Sequence, residues 1–282
     1  MRLVEIARYP VKSLQGERLA AGEIEPDGLR GDRRWGIRDE TTGKVLTARR
    51  APTLLFASAA LAPDGTPLIT LPTGVTCAGP GADTDAALSR WLEKPVRLVP
   101  SADAPAARAE FFADATDDAS EAIEWTMPAG RFVDAQPLLV VTTASLRTAA
   151  ALHPHGDWDL RRFRANLVID AGGDGWLEDA WCGTAALRIG AVRLHPEEPC
   201  VRCTMVTRPQ PGLGEDRDLF RVLARHHAGH FGVWTSVEVT GTVTAGDPVG
   251  VEDRAAWPSP DPLVVAPRSS GESEVEPLEL AE

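Results

Sequence analysis

Apolar positions in the first hundred residues come in short runs bounded by Gly or Pro. They predict strands at Arg2 to Tyr9, Arg34 to Arg38, Leu54 to Leu61, Pro67 to Leu71 and Val96 to Val99. One segment has a different period. From Asp83 to Glu93 the residues Ala87, Leu88, Trp91 and Leu92 make an i, i+1, i+4, i+5 stripe behind two N-terminal carboxylates, which predicts a helix whose stripe is core. Residues 101 to 120 are rich in Ala, Asp and Pro without clear period and read as a connector. The second half opens on an apolar strand, Pro137 to Val141, running into TTASLRTAAAL, a Thr/Ser-capped helix. Further strands are predicted at Asn166 to Asp170, Thr184 to Leu194, Val201 to Arg208, Gly232 to Val243 and Val249 to Val251. The pattern is mostly β with a few helices (α+β). It divides into 1–115, 116–252 and a Pro/Ser/Glu-rich tail, 253–282, expected to be disordered.

Composition narrows the class of partner. The 282 residues are 43% hydrophobic and 25% charged, enough to bury a sizeable core, and 29 basic against 41 acidic residues give −12. That balance argues against a nucleic-acid or anionic-membrane binder. Three of the basic residues are Lys (Lys12, Lys44, Lys94), which leaves 26 Arg. Four cysteines are too few for a disulfide scaffold in a chain of this length, and no window has the length of a signal or membrane segment. A cytoplasmic protein is expected.

The sharpest local motif is PCVRC, Pro199 to Cys203. A C-x-x-C pair can be half of a zinc site, a redox pair, a single ligating thiolate, or two plain buried residues. The other cysteines, 77 and 182, are isolated, and the residues after the pair do not read as a helix, so zinc and disulfide exchange are the weaker readings. A single thiolate beside Arg202 and two buried residues stay open. RRFRAN (Arg161 to Asn166) can be an anion site or a solvated basic loop. YPVKS (Tyr9 to Ser13) and GLRGDRRW (Gly28 to Trp35) add a scarce Lys, further Arg and two Gly that permit close backbone approach. Together, three basic loops and a thiolate suggest a pocket for a large anionic cofactor bound to a soft metal. His226, His227 and His230 read as a helix end rather than a metal site. Dinucleotide, P-loop and hydrolase-elbow motifs are absent from the sequence.

These motifs, in this order, resemble the MOSC domain proteins that carry an N-terminal MOSC β-barrel, the group that includes the mitochondrial amidoxime reducing component and its bacterial relatives. YPVKS, GLRGDRRW and LTARRAP (Leu46 to Pro52) carry the first part of the resemblance. FVDAQPLLVVTTASL (Phe132 to Leu146), FRAN, GWLEDAW (Gly175 to Trp181), PCVRC and GHFGVW (Gly229 to Trp234) carry the second. The resemblance implies an N-terminal β-barrel-like domain followed by a MOSC β-barrel domain, and a molybdenum cofactor whose metal is held by Cys203. It implies that Lys12, Ser13, Arg33 and Arg164 hold the pterin and its phosphate, that Thr143, Ser145 and Asn166 are neighbours, and that Arg202 tunes the charge at the metal. Asp179 and Trp181 are candidate lining residues. Gln136 and Ala165 stand where the family often has Ser or Thr, and Pro, which puts local cofactor contacts in question.

The activity implied is reduction of N-hydroxylated or other N-oxygenated small molecules. With no C-x4-C-x2-C ferredoxin run in the sequence, electrons are expected from a separate ferredoxin, flavodoxin or reductase-type protein. Two other readings are a cofactor-binding or sulfur-carrying protein without turnover, and a β-rich module in which every motif is structural.

Overall fold

The computed structural model describes residues 1–256. Its largest sheet has eight strands in the order β18 (Val249–Asp253), β14 (Ala185–Ile189), β15 (Val192–Val201), β16 (His230–Val239), β12 (Leu138–Thr142), β13 (Leu167–Asp170), β1 (Arg2–Arg8) and β2 (Glu17–Leu19). Every residue of β12, LLVVT, is buried, as suits a strand covered on both faces. β12 and β13 are parallel, and helix α2 (Thr143–Leu152) lies on the crossover between them. Thr142 caps α2 by accepting the Ser145 N–H at 3.1 Å.

The first strands belong to this sheet too. β1 runs antiparallel to β13 with Ile6 opposite Leu167, and a shift between Leu3 and Glu5 breaks its two-residue period so that Leu3 and Ile6 both face inward. β3 (Ala21–Glu25) lies between β17 (Gly241–Thr244) and β4 (Gly28–Leu29). One core therefore joins Leu3, Ile6, Ile24 and Leu29 to Leu138, Leu167, Leu187 and Val243.

The remaining strands build smaller sheets: β5 (Trp35–Asp39) with β9 (Val96–Pro100), β6 (Ser58–Leu61) with β7 (Pro67–Thr70) and β8 (Thr76–Ala78), and β10 (Arg108–Phe112) with β11 (Ala122–Thr126). α1 (Ala82–Leu92) covers the second core through Ala87 and Leu88, and α3 (Asp218–His227) covers a third through Phe220 and Leu223. The architecture is mostly strands with three α-helices, as the sequence implies. In hydrogen-bonding terms the large sheet is open, with β18 and the three-residue β2 as its edges.

Several local expectations change, and the runs Thr184 to Leu194 and Gly232 to Val243 each divide between two strands, β14 with β15 and β16 with β17. Leu54 to Leu61 is a strand only from Ser58, because Pro52 starts a 3-10 turn over Pro52–Phe56. Val201 to Arg208 is not a strand. β15 ends at Val201, and Thr204–Thr207 is a 3-10 turn closed by the Thr207 hydroxyl donating to the Thr204 carbonyl at 2.7 Å. The expected connector 101–120 contains β10. Of the expected tail, 253–256 finish β18 and a short 3-10 turn, and 257–282 lie outside the described residues. No helix among the described residues is long and apolar enough to cross a membrane.

Candidate functional site

A cavity of about 490 Å³ opens between the N-terminal loops, the β10–β11 hairpin and the segments around Asp134, Arg164 and Cys203. Six cations line it (Lys12, Arg33, Arg49, Arg162, Arg164, Arg202), and Asp134 is its only acidic lining residue. In a chain of −12 this is a local reversal of sign.

Backbone strain concentrates here. Five non-glycine residues among those described have positive φ, and three of them, Ser13 (70°), Arg33 (50°) and Arg164 (57°), line the cavity. Each is fixed by hydrogen bonds. The Ser13 Oγ accepts the Ala48 N–H at 2.9 Å, which ties the lysine loop to the LTARR loop. Arg33 donates to Asp32 Oδ2 at 2.5 Å and to the Arg164 carbonyl at 3.2 Å, while Arg164 donates to the Leu14 carbonyl at 2.6 Å. Both guanidiniums lie over the Tyr9 ring, at 4.9 and 4.3 Å from its centroid. Burial and the neighbouring Arg33 lower the Arg164 pKa to about 10, because no carboxylate among the described residues pairs with it. An anionic ligand would relieve that cost. Asn166 is buried and clamps three segments, accepting from the Leu139 N–H and Arg33 and donating to the Ala7 carbonyl.

A second chain of contacts leads to the thiol. Lys12 is buried and donates to Asp134 Oδ1 at 2.7 Å and to the Phe132 carbonyl at 2.9 Å. Asp134 Oδ2 takes Arg49 Nη2 at 2.8 Å, and Arg49 in turn is the cation beside the Cys203 side chain and lies 4.0 Å over the Phe111 ring. Burial works against ionising Asp134, yet Arg49 and Lys12 hold its carboxyl well below the usual range. Burial pushes the Lys12 pKa down, with Asp134 opposing. Cys203 is half-buried in extended backbone at the cavity wall.

Arg202 is placed differently from the sequence expectation. Its Nη1 donates to Cys200 Sγ at 3.0 Å and its Nη2 to the Phe163 carbonyl at 2.9 Å, so the charge beside Cys203 comes from Arg49. Cys200 is buried, which raises its pKa despite Arg202. The Arg202 Nε is itself buried without a partner.

The structure brings Lys12, Ser13, Arg33, Arg164, Asn166, Arg202 and Cys203 to one cavity; Thr143 and Ser145 are not among them. Ser145 donates to the fully buried Glu178 at 2.7 Å, and Thr143 donates to Asp170 at 2.7 Å, so both serve the start of α2. Asp179 and Trp181 also lie elsewhere, since Trp181 joins the first core and Asp179 meets His227 Nε2 at 2.5 Å. His227 Nδ1 faces the His230 carbonyl at 2.8 Å. With acceptors at both nitrogens the imidazolium form fits, and although burial opposes it, Asp179 raises the pKa above its ordinary value. Among the described residues no three His, Cys, Asp or Glu side chains converge as a metal site.

Sequence reasoning missed Arg49 and Asp134 as site residues, although both lie in quoted motifs. It also missed the hairpin. The RRFRAN arginines divide three ways. Arg161 pairs with Asp159, Arg164 faces the cavity, and Arg162 is buried against the carbonyls of Asp157, Val206, Arg208 and Gly214 at 2.8 to 3.2 Å.

Comparison with known proteins adds to this geometry. Residues 1–117 match the model of the MOSC N-terminal beta barrel domain and residues 128–250 that of the MOSC domain. The chain is 26% identical over 286 residues to the molybdenum cofactor sulfurase of Drosophila grimshawi, covering 89% of this chain and 34% of that protein. It thus spans about a third of the sulfurase. It is 27% identical over 288 residues to human mitochondrial amidoxime reducing component 2, covering 86% of this chain and 80% of that one. Among solved structures, the YuaD protein of Bacillus subtilis is 13% identical with a TM-score of 0.46, covering 89% of this chain and 95% of that one.

Proposed function

We propose, given that this chain belongs to the MOSC domain family and carries the family's N-terminal β-barrel domain, that it is a molybdenum-cofactor-dependent oxidoreductase reducing N-hydroxylated or other N-oxygenated small molecules. The observation that carries the reading is the half-buried Cys203 thiol on a cavity lined by six cations and one carboxylate. This donor set fits the cofactor. One soft sulfur suits a metal whose other ligands are sulfurs of an organic anion, and Arg164 without a carboxylate and the unpartnered Arg202 Nε suit an anionic ligand.

When bound, the cofactor would supply a metal centre that exchanges two electrons and accepts oxygen. The chain's own residues have separable tasks. Cys203 would hold the metal, with the Arg49 cation beside its sulfur. Asp134 fixes Arg49 from behind and is itself held by Lys12. Arg33 and Arg164 would hold the phosphate and pterin, with Asn166 locking Arg33. Phe111 lines the cavity beside Arg49. Electrons would come from a separate donor protein.

The relatives named as cofactor sulfurases favour a second reading, in which the chain binds the cofactor or carries sulfur without turnover. One experiment separates them. Protein purified from a host that makes the cofactor is analysed for molybdenum and pterin by mass spectrometry, then assayed for reduction of benzamidoxime or hydroxylaminopurine with a chemical reductant. Metal, pterin and turnover together are expected. Metal without turnover would favour the carrier, and absence of both metal and pterin would sink both readings. Cys203→Ser is expected to abolish turnover and Cys200→Ser to retain most of it; the reverse would reassign the ligand.

A further inference from the structure

The β10–β11 hairpin carries the most exposed aromatic side chain of the described residues. β11 reads AIEWT, and its Ile123 and Trp125 are 49% and 48% exposed although both line the cavity. Exposed apolar side chains on a cavity rim mark a surface that a ligand covers. Phe111, opposite Ile123 in register, brings its ring within 6.1 Å of Trp125 at a tilt of 56°. Val201, 55% exposed and two residues before Cys203, also lines the cavity.

The hairpin is a fixed wall. Lys44 bridges Glu110 and Glu124 at 2.7 and 2.6 Å, the Thr47 hydroxyl donates to the Glu110 carbonyl at 3.1 Å, and the Val45 N–H donates to the Arg108 carbonyl at 2.8 Å. At its tip the Ala115 carbonyl accepts the Thr204 N–H at 3.0 Å, which sets the hairpin directly against the residue after Cys203. The cavity lining thus combines six cations and the Cys200 and Cys203 side chains with exposed apolar residues.

We propose that Trp125, Ile123 and Val201 form an apolar clamp that selects substrates with a planar apolar body, foremost an aryl group, behind the N-oxygenated end. The clamp rests on the redox reading for the reacting end but makes its own claim about the body. A ring seated between Trp125 and Val201 exchanges exposed apolar surface for stacking and leaves the polar end toward Cys203.

The test uses protein purified with its cofactor and two amidoximes, one with a phenyl body (benzamidoxime) and one with a methyl body (acetamidoxime). Binding is measured by titration calorimetry in the oxidised state without reductant, and kcat/KM with reductant. Trp125→Ala is expected to weaken benzamidoxime binding about tenfold and to lower the benzamidoxime-to-acetamidoxime ratio of kcat/KM by a similar factor, with Trp125→Phe restoring most of both. Val75→Ser, which changes an exposed apolar residue in the turn before β8, is expected to move neither. Equal losses for both substrates, or none, would overturn the clamp. Trp125-dependent binding without reduction would leave the clamp standing and remove the redox reading. Equal reduction of both substrates regardless of Trp125 would do the opposite.

Discussion

Arg162 offers the sharpest test of how the site is held. It is buried, pairs with no carboxylate among the described residues, and donates to four carbonyls, those of Asp157, Val206, Arg208 and Gly214. Three of these lie in the segment after Cys203, so this one side chain fixes the loop that follows the proposed ligand. Arg162→Met keeps much of the volume and removes every donor. Four carbonyls left short at about 1–2 kcal/mol each amount to about 4–8 kcal/mol. Freeing the fold from burying an unpaired guanidinium returns about 2–4 kcal/mol. The expected net loss is therefore centred near about 3 kcal/mol, with the orphaned carbonyls outweighing the relief. In urea unfolding followed by tryptophan fluorescence this lowers the midpoint by roughly 1–2 M. Arg162→Lys, whose ammonium cannot reach four acceptors spread around a fork, should fall between wild type and Arg162→Met. A midpoint for Arg162→Met indistinguishable from wild type, or full recovery with Lys, would refute the reasoning.

Further expectations concern the site and the scaffold. Arg49→Met removes the cation at Cys203 and one of the two counterions of Asp134, and molybdenum affinity measured by metal analysis after dialysis should drop about tenfold or more, whereas Arg202→Met should cost less. If Arg202→Met costs more, the charge has been assigned to the wrong arginine. The His227–Asp179 pair gives a pH signature. Because the folded histidine titrates above its ordinary 6.5, the pair's stabilisation is complete below that pH and fades as pH rises through the folded value. The Tm advantage of wild type over Asp179→Asn should thus be larger at about pH 6 than at about pH 9, and a constant difference would count against an ionised pair. Gly232→Ala places a Cβ 2.7 Å from the Val140 carbonyl oxygen in a residue with φ of 75°, and a loss of about 3 kcal/mol is expected in chemical denaturation.

Sequence patterning located β12, α1 and α2 because their signals are local: an unbroken apolar run, a period near 3.6 and a threonine cap. It failed where partners far along the chain decide conformation. Thr204–Thr207 has the composition of a strand, but the Thr207 hydroxyl takes the Thr204 carbonyl, Arg162 takes the Val206 carbonyl, and the Arg202 N–H is drawn to the Gly229 carbonyl. β10 and β11 lie in a segment of low periodicity and become strands by pairing with each other and anchoring to residues 44–47. At the site, residue type flagged the basic loops and the cysteine pair, and the family resemblance singled out Lys12, Arg33, Arg164 and Cys203. Residue type could not tell Arg49 from Arg50, of which only Arg49 lines the cavity. Thr143 and Ser145 carried the right chemistry but sit on the side of α2 that serves Glu178 and Asp170.

The placement of β1 has a consequence for the order in which the molecule can be made. Leu3 donates its N–H to the Asp247 carbonyl and pairs with Ile169, so β1 finds part of its surroundings in residues translated long after it. At roughly 5–20 residues per second, on the order of ten seconds or more pass before those neighbours exist. During that interval β1 has only β2, Ile24 and Leu29 beside it, and a chain stalled before residue 167 would leave its β13 edge unpaired. That seam therefore closes late, and truncations that remove β13 or Asp247 should be felt there, as proteolysis or aggregation that begins within β1.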